Sequence, residues 1–305
     1  MAQHPHDHGA TSGRGADQRF LAMALALLGV FLVVEVTVAL LADSLALLSD
    51  AGHMLTDVAA IAAALWAARL AGRPAGGAWT FGWTRAEILS AAVNGASLLV
   101  ISALVTVEAI RRLADPPHVD AAPMLTIALV GVAVNVAVAG VLARANRSSL
   151  AVEGAFQHVL TDLYGFLGTV AAAIVILATG YRRADPIASL LVVGLMLLAA
   201  WRLLRASGRV LLEAAPESVE PTTVRAHLLG VTHVLDVHDL HVWTLTSDLP
   251  ALSAHIVLDD SCFADNHAPQ LLDQLQACLA GHFDVEHSTF QLEPASHADH
   301  EPGTH

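Results

Sequence analysis

Apolar residues fill the first two-thirds of the chain in long runs, whereas the last third alternates short apolar and polar groups. The runs cover approximately 20–41, 46–70, 86–112, 121–143, 150–178 and 185–206. Each is close to the ~20 residues that a helix rising 1.5 Å per residue needs to cross a ~30 Å hydrocarbon layer. The breaks hold turn and breaker residues: Ala42-Asp43-Ser44, Gly72-Arg73-Pro74 to Gly77, Asp115-Pro116-Pro117, Arg144-Ala145-Asn146-Arg147 and Gly180-Tyr181-Arg182-Arg183. The pattern predicts an α-helical membrane protein with six transmembrane helices over residues 20–208. The N-terminus lacks a basic segment followed by a short apolar core, so the first span is expected to act as its own insertion signal.

Beyond residue 208 the periodicity changes. Residues 218–230 read as a helix between Ser218 and Gly230, followed by strand-like runs Val234 to Leu245 and Ala251 to Leu258 around the turn Ser247-Asp248-Leu249-Pro250. A second helix is expected over 266–280, ending at Gly281, and a last strand over 286–292. The order α-β-β-α-β predicts a small α+β domain over residues 209–293, with helices on one face of an open sheet. Residues 1–19, which bear histidines, and 294–305, with His297, His300 and His305, are polar enough to be expected as disordered tails.

Composition agrees with a membrane protein, at 55% hydrophobic residues, and the net charge of -13 argues against nucleic acid as a partner. All fifteen basic residues are arginine. Their distribution orients the chain, because cytoplasmic flanks carry the excess of positive charge. Ten arginines (14, 19, 69, 73, 85, 144, 147, 202, 205 and 209) fall on one side, against Arg111, Arg112, Arg182 and Arg183 on the other. Both termini and the α+β domain are therefore expected in the cytoplasm of a multi-pass plasma (inner) membrane protein. Cys262 and Cys278 form neither a disulfide framework nor a Cys-x-x-Cys metal pattern, as expected in a reducing compartment.

The chemistry lies in a repeat inside the apolar runs. His53-Met54-Leu55-Thr56-Asp57 in the second span and His158-Val159-Leu160-Thr161-Asp162 in the fifth share the pattern His-x-Leu-Thr-Asp. Residues at i and i+4 share a helix face, so each pair can aim an imidazole and a carboxylate at one point. An ionisable group in hydrocarbon costs at least ~2.5 kcal/mol. One pair could be a buried helix-helix hydrogen bond, but two matched pairs at matched depth make a ligand set. Spans two and five run in opposite directions, and both carboxylates fall near the midplane, where carriers hold substrate.

Two imidazoles and two carboxylates suit tetrahedral Zn2+ and would accept Co2+ or Ni2+. They disfavour Cu(I), and Mg2+ prefers oxygen ligands and retained water. Protons and metal compete for these four groups, which predicts Zn2+/H+ antiport by alternating access. Other polar groups read more blandly. Asp50 could relay protons or start a helix, and Glu35 could line the same cavity or be structural. Glu108 is expected to pair with Arg111 or Arg112, and Asn94 and Asn135 to bond between helices.

The chain resembles the cation diffusion facilitator family of proton-coupled zinc efflux carriers. The resemblance rests on Ser44 to His53, on the repeat itself, on His238-Asp239-Leu240-His241-Val242-Trp243-Thr244-Leu245 and on Leu252-Ser253-Ala254-His255. It implies a ferredoxin-like cytoplasmic domain and a homodimer. Histidine at position 53 is similar to the zinc-preferring branch that tends to exclude Cd2+; the ligand set by itself does not rank Zn2+ against Co2+, Ni2+, Cd2+ or iron, all of which can occupy such a site. The resemblance also implies a regulatory cytoplasmic metal site at His238, His255 and Glu293, with His287 beside the last strand. Trp243 is expected to pack. The loop 71–80 lacks His, Asp and Cys, and the linker 144–149 lacks a histidine-rich insert; His4-Pro5-His6-Asp7-His8 could collect zinc instead. An intramembrane metalloenzyme would need an open ligand position and a base, and His-Glu-x-x-His does not occur; a receptor whose spans only anchor a sensing tail is disfavoured by ligands at mid-membrane depth.

Overall fold

The computed structural model describes residues 9–41, 45–116, 121–246, 249–285 and 287–298; the side chains of 9–14, 39, 41 and 45–53 fall outside the description. Six long helices come first: α1 Gly9–Leu41, α2 Leu45–Ala71, α3 Ala86–Ala114, α4 Ala121–Leu142, α5 Leu150–Thr179 and α6 Ala184–Leu211. Then follow α7 Pro221–Leu229, β1 Val234–Thr246, β2 Leu249–Leu258, α8 Ser261–Ala264, α9 Ala268–Phe283, β3 His287–Pro294 and α10 Ala295–Ala298. The chain divides into two compact units, residues 1–207 and 208–305.

Among the described residues, six helices are long and apolar enough to cross a membrane, and only 22–44% of each apolar window is buried within the protein. Their outward faces carry residues such as Val30, Val93, Leu104 and Leu191, all more than 60% exposed. Lipid is the solvent such a surface requires. The inward faces are narrower. On α3 the buried positions Ile88, Ala91, Gly95, Leu98 and Ser102 recur every three or four residues, the period of one helix face.

One core joins α1, α2, α4 and α5 through Leu21, Leu28, Ile61, Leu142, Val152 and Val159, and a smaller one joins α3 to α6 through Leu98, Met196 and Ala200. Small residues bring the backbones close. Asn94 of α3 donates its side-chain N–H to the Gly154 carbonyl of α5 at 2.6 Å, and a β-carbon at Gly154 would lie 3.3 Å from that amide nitrogen. Asn94 thus bonds between helices as the sequence predicts. Asn135 does not: its side-chain N–H is satisfied by the Gly131 carbonyl of its own helix, 3.0 Å away. The carbonyl one turn back is already in reach of a short amide, so no second helix is needed.

Helix boundaries differ from expectation where tertiary bonds extend them. Residues 9–19 are helical, not disordered: α1 continues upstream of the apolar span, and its third turn bonds to neighbouring segments. Asp17, 9% exposed, accepts from the backbone N–H of Asn146 at 2.7 Å, and Gln18 donates to the Ala68 carbonyl at 3.2 Å. Adding turns to an existing helix avoids the cost of nucleation. Residues 1–8, including His4, His6 and His8, lie outside the described residues, as do Ser247, Asp248, His300 and His305.

In the second unit the strand order is β1-β2-β3, with β1 and β2 antiparallel and β2 and β3 parallel. Val224 and Leu228 of α7 and Leu271, Leu275 and Leu279 of α9 pack with Leu252, Ala254, Ile256 and Leu258 of β2. These alternate β2 residues share one face, so both helices cover that face and the intervening residues point to the other. This is the helix-on-sheet α+β domain that the chain order predicts. Helix α9 does not stop at Gly281; it runs to Phe283 and ends on Asp284 at φ 56°, whose N–H reaches the Leu279 carbonyl. Asp tolerates the left-handed region well enough to replace glycine there. The last strand also runs longer than expected, to Pro294, and Ala295–Ala298 forms a short helical turn in place of the start of a disordered tail.

A β-carbon at Gly131 of α4 would collide with the ring of Phe166 on α5. Gly131→Ala is expected to cost about 1–3 kcal/mol through overpacking. The check is the thermal unfolding midpoint of the purified protein in detergent, which should fall relative to the parent.

Candidate metal centre

Helix α2 carries Asp57, and α5 carries His158 and Asp162 one turn apart on one face. The structure brings these three together, each offering a ligand atom within 4.8 Å of the others. His158 Nε2 lies 2.9 Å from Asp57 Oδ1 and 3.9 Å from Asp162 Oδ2. The imidazole is 2% exposed, against 14% and 22% for the two carboxylates. The Thr161 hydroxyl donates to the backbone carbonyl of His158 at 2.6 Å. Nδ1 of His158 is buried with no hydrogen-bond partner among the described residues, and Nε2 is the ring nitrogen that meets both carboxylates. The backbone of His53 sits in α2 one turn before Asp57, and its side chain lies outside the described residues.

The three side chains line a cavity of about 310 Å3 between α2, α3, α5 and α6. Its walls are mostly apolar, with Leu98, Ile101, Phe166, Val192 and Met196 among them; Thr56, Thr169 and Ser189 supply hydroxyls. Asp185, which the sequence reading did not single out, also lines it. Its carboxylate is 3.6 Å from Arg112 at the end of α3, and Arg112 in turn bonds Glu108 at 2.9 Å, so Glu108 has the partner expected of it. The signal available in the sequence was Asp185-Pro186 at a helix start with Ser189 one turn on, which gives an acid at a span end but not its neighbours.

A second cluster lies in the smaller unit, where His238, His255 and Glu293 each offer a ligand atom within 4.8 Å of the others. Strand register assembles it. His238 pairs with His255 across β1 and β2, and Glu293 of β3 pairs with Val257, two residues along from His255 and so on the same face. That face is the one α7 and α9 leave open. Glu293, 2% exposed, holds His255 Nδ1 at 2.8 Å and His238 Nε2 at 3.4 Å, while Gln291 donates to Glu293 at 2.7 Å. His287 is not brought to this cluster. It begins β3 opposite Ala251, six residues and roughly 20 Å of extended strand from Glu293. Neither cysteine joins the cluster; burial raises the Cys278 thiol above its ordinary range and keeps it protonated.

Residues 21–212 match the model of the cation efflux transmembrane domain, and residues 216–295 that of the cation efflux protein cytoplasmic domain. The metal cation efflux system protein CzcD of Cupriavidus metallidurans is 40% identical over 300 residues, 98% of this chain and 92% of that protein. A cadmium, cobalt and zinc/H(+)-K(+) antiporter of Bacillus subtilis is 36% identical over 294 residues, covering 96% and 93%. The zinc transporter ZitB of Escherichia coli is 39% identical over 293 residues, covering 94% and 92%. A solved structure of the metal-bound C-terminal domain of CzcD matches 25% of this chain and 99% of its own at 37% identity, with a TM-score of 0.23. Six apolar helices around a cavity that holds Asp57, His158 and Asp162, followed by an α+β cytoplasmic domain, define a multi-pass metal cation efflux transporter. The chain belongs to the cation diffusion facilitator family.

With the C-terminal domain in the cytoplasm, α6 starts on the outer side, so the cavity runs from His158 toward the outer ends of α3 and α6. Asp185 then lies at the outer part of the cavity. Asp185→Asn is expected to lower metal flux on the order of tenfold, equivalent to ~1.4 kcal/mol on the transport barrier, while leaving equilibrium metal binding close to the parent value. Flux and binding measured on the same preparation check the split.

Proposed function

We propose that the chain exports Zn2+ from the cytoplasm across the plasma membrane in exchange for H+, by alternating access, with His53, Asp57, His158 and Asp162 holding the ion in transit. The observation that carries this reading is the double use of His158 Nε2. That atom faces the cavity between two carboxylates and makes the bond to Asp57 at 2.9 Å. Because a carboxylate only accepts, the Nε2 bond to ionised Asp57 requires a proton on Nε2, and a metal needs the same atom as a lone pair. Loading the ion displaces the proton onto the solvent path, and reprotonation from the outer side expels the ion.

The chemistry of the relatives supports the cargo: CzcD is a metal cation efflux protein, the Bacillus subtilis protein exchanges cadmium, cobalt and zinc for H+ and K+, and ZitB is a zinc transporter. Nitrogen and carboxylate donors favour Zn2+, with Co2+, Ni2+ and Cd2+ as secondary cargoes. The cytoplasmic-domain match supports a homodimer, in which His238, His255 and Glu293 form a regulatory Zn2+ site on the open face of each sheet.

Reconstitution in liposomes with an imposed pH gradient tests the transport cycle. Zinc flux with coupled proton counterflow is expected for the parent, weakening as both compartments are acidified because protons then occupy the ligands. Asp57→Ala and Asp162→Ala should each reduce flux at least a hundredfold, ~2.7 kcal/mol. Undiminished flux in either variant, or flux indifferent to the gradient, would sink the reading.

The regulatory site has its own readout. Glu293→Gln keeps the shape of the side chain but removes the charge that holds both imidazoles, so the dependence of flux on cytoplasmic zinc should shift to higher concentration while flux at saturating zinc stays near the parent value. An unchanged zinc dependence would remove the regulatory role.

A further inference from the structure

A second pair of histidines faces each other in the cytoplasmic unit, on the helices and away from the His238, His255 and Glu293 cluster. His227 stands in the last turn of α7 and His282 in the last turn of α9. Their ring centroids are 5.4 Å apart, and the edge of Phe283 packs against His227 at 5.0 Å. The two rings are held in the same way. His227 Nδ1 donates to the Thr223 carbonyl at 3.1 Å, and His282 Nδ1 donates to the Cys278 carbonyl at 3.0 Å, each one turn back along its own helix.

A carbonyl oxygen only accepts, so in the neutral ring each bond places the proton on Nδ1 and the lone pair on Nε2. This is the arrangement of an imidazole prepared for a metal, where the remote nitrogen is fixed by a backbone carbonyl and the near one binds. Two imidazoles that bind one tetrahedral ion through Nε2 at 2.0–2.1 Å place their ring centres roughly 5.2 Å apart. The observed centroid spacing of 5.4 Å is close to that value. Position adds a second favourable contribution, because each helix end carries about half a negative charge and a dication between two such ends meets both. Both side chains are exposed, so water can complete the coordination.

We infer that His227 and His282 form a two-histidine site for a borderline divalent cation, Zn2+, Ni2+ or Co2+, that clips the end of α7 to the end of α9. It is independent of the transport centre and of the sheet-face cluster, and its ion would tie together the two helices that cover the sheet.

The test uses the full-length protein in detergent with Ni2+ as the probe. Amide hydrogen exchange in the last turns of α7 and α9 is expected to slow at least tenfold on adding Ni2+, and the protection should vanish in both His227→Gln and His282→Gln while protection of β1, β2 and β3 is retained. Bound Ni2+ should fall by one ion per chain in either variant and no further in the double variant. Absent protection in the parent, protection that survives either substitution, or losses that add in the double variant would overturn the assignment.

Discussion

An ionisable group buried among helices in hydrocarbon must be paired, and much of the first unit is arranged around one such pair. His158 is nearly inaccessible on α5, and Asp57 reaches it from α2. Neither group is tolerable there alone, since an unpaired charge in a low-dielectric surrounding costs several kcal/mol. The interaction therefore fixes the register of α2 against α5 more tightly than apolar packing can, because lipid tails and leucine side chains solvate a helix about equally well. Close packing elsewhere supports the same register. Gly131 admits Phe166, Gly154 admits Asn94, and both helix contacts lie within about two turns of His158.

The smaller unit solves a different problem with different means. It faces water, so burial of Leu252, Ile256, Leu271 and Leu275 between sheet and helices supplies its stability, and its polar clusters are left to the edges of that core. The open sheet face gathers one set of titratable side chains through strand register, and the helix ends gather another through the packing of α7 on α9. The two sets share no residue: one depends on the three strands, the other on α7 and α9.

Much of this was legible in the chain. The six spans stand out because ~20 apolar residues in a row have few other uses, and the His-x-Leu-Thr-Asp repeat put Asp57, His158 and Asp162 on helix faces where they could meet. What was hidden depends on contacts between elements distant in sequence. Asp185 is a lone acid at a span end, and nothing local says that α6 begins beside the cavity of α2 and α5. His287 lies on the expected strand, but only the parallel register reveals how far it is from Glu293. The helix of residues 9–19 was masked by polar composition, which does not disclose that Asp17 caps the turn at Asn146. Gly281 looked like a helix end, yet the left-handed residue is Asp284.

The bond from Asn94 to the Gly154 carbonyl has a consequence for how the carrier turns over. It lies one turn from His158 on the same helix, and Gly154 lets the two helices approach at that point. Helices α3 and α5 are thereby latched one turn from His158, and sliding one past the other would have to break that bond. A rearrangement that keeps the latch carries His158 and Asp162 along with α3 as a single block.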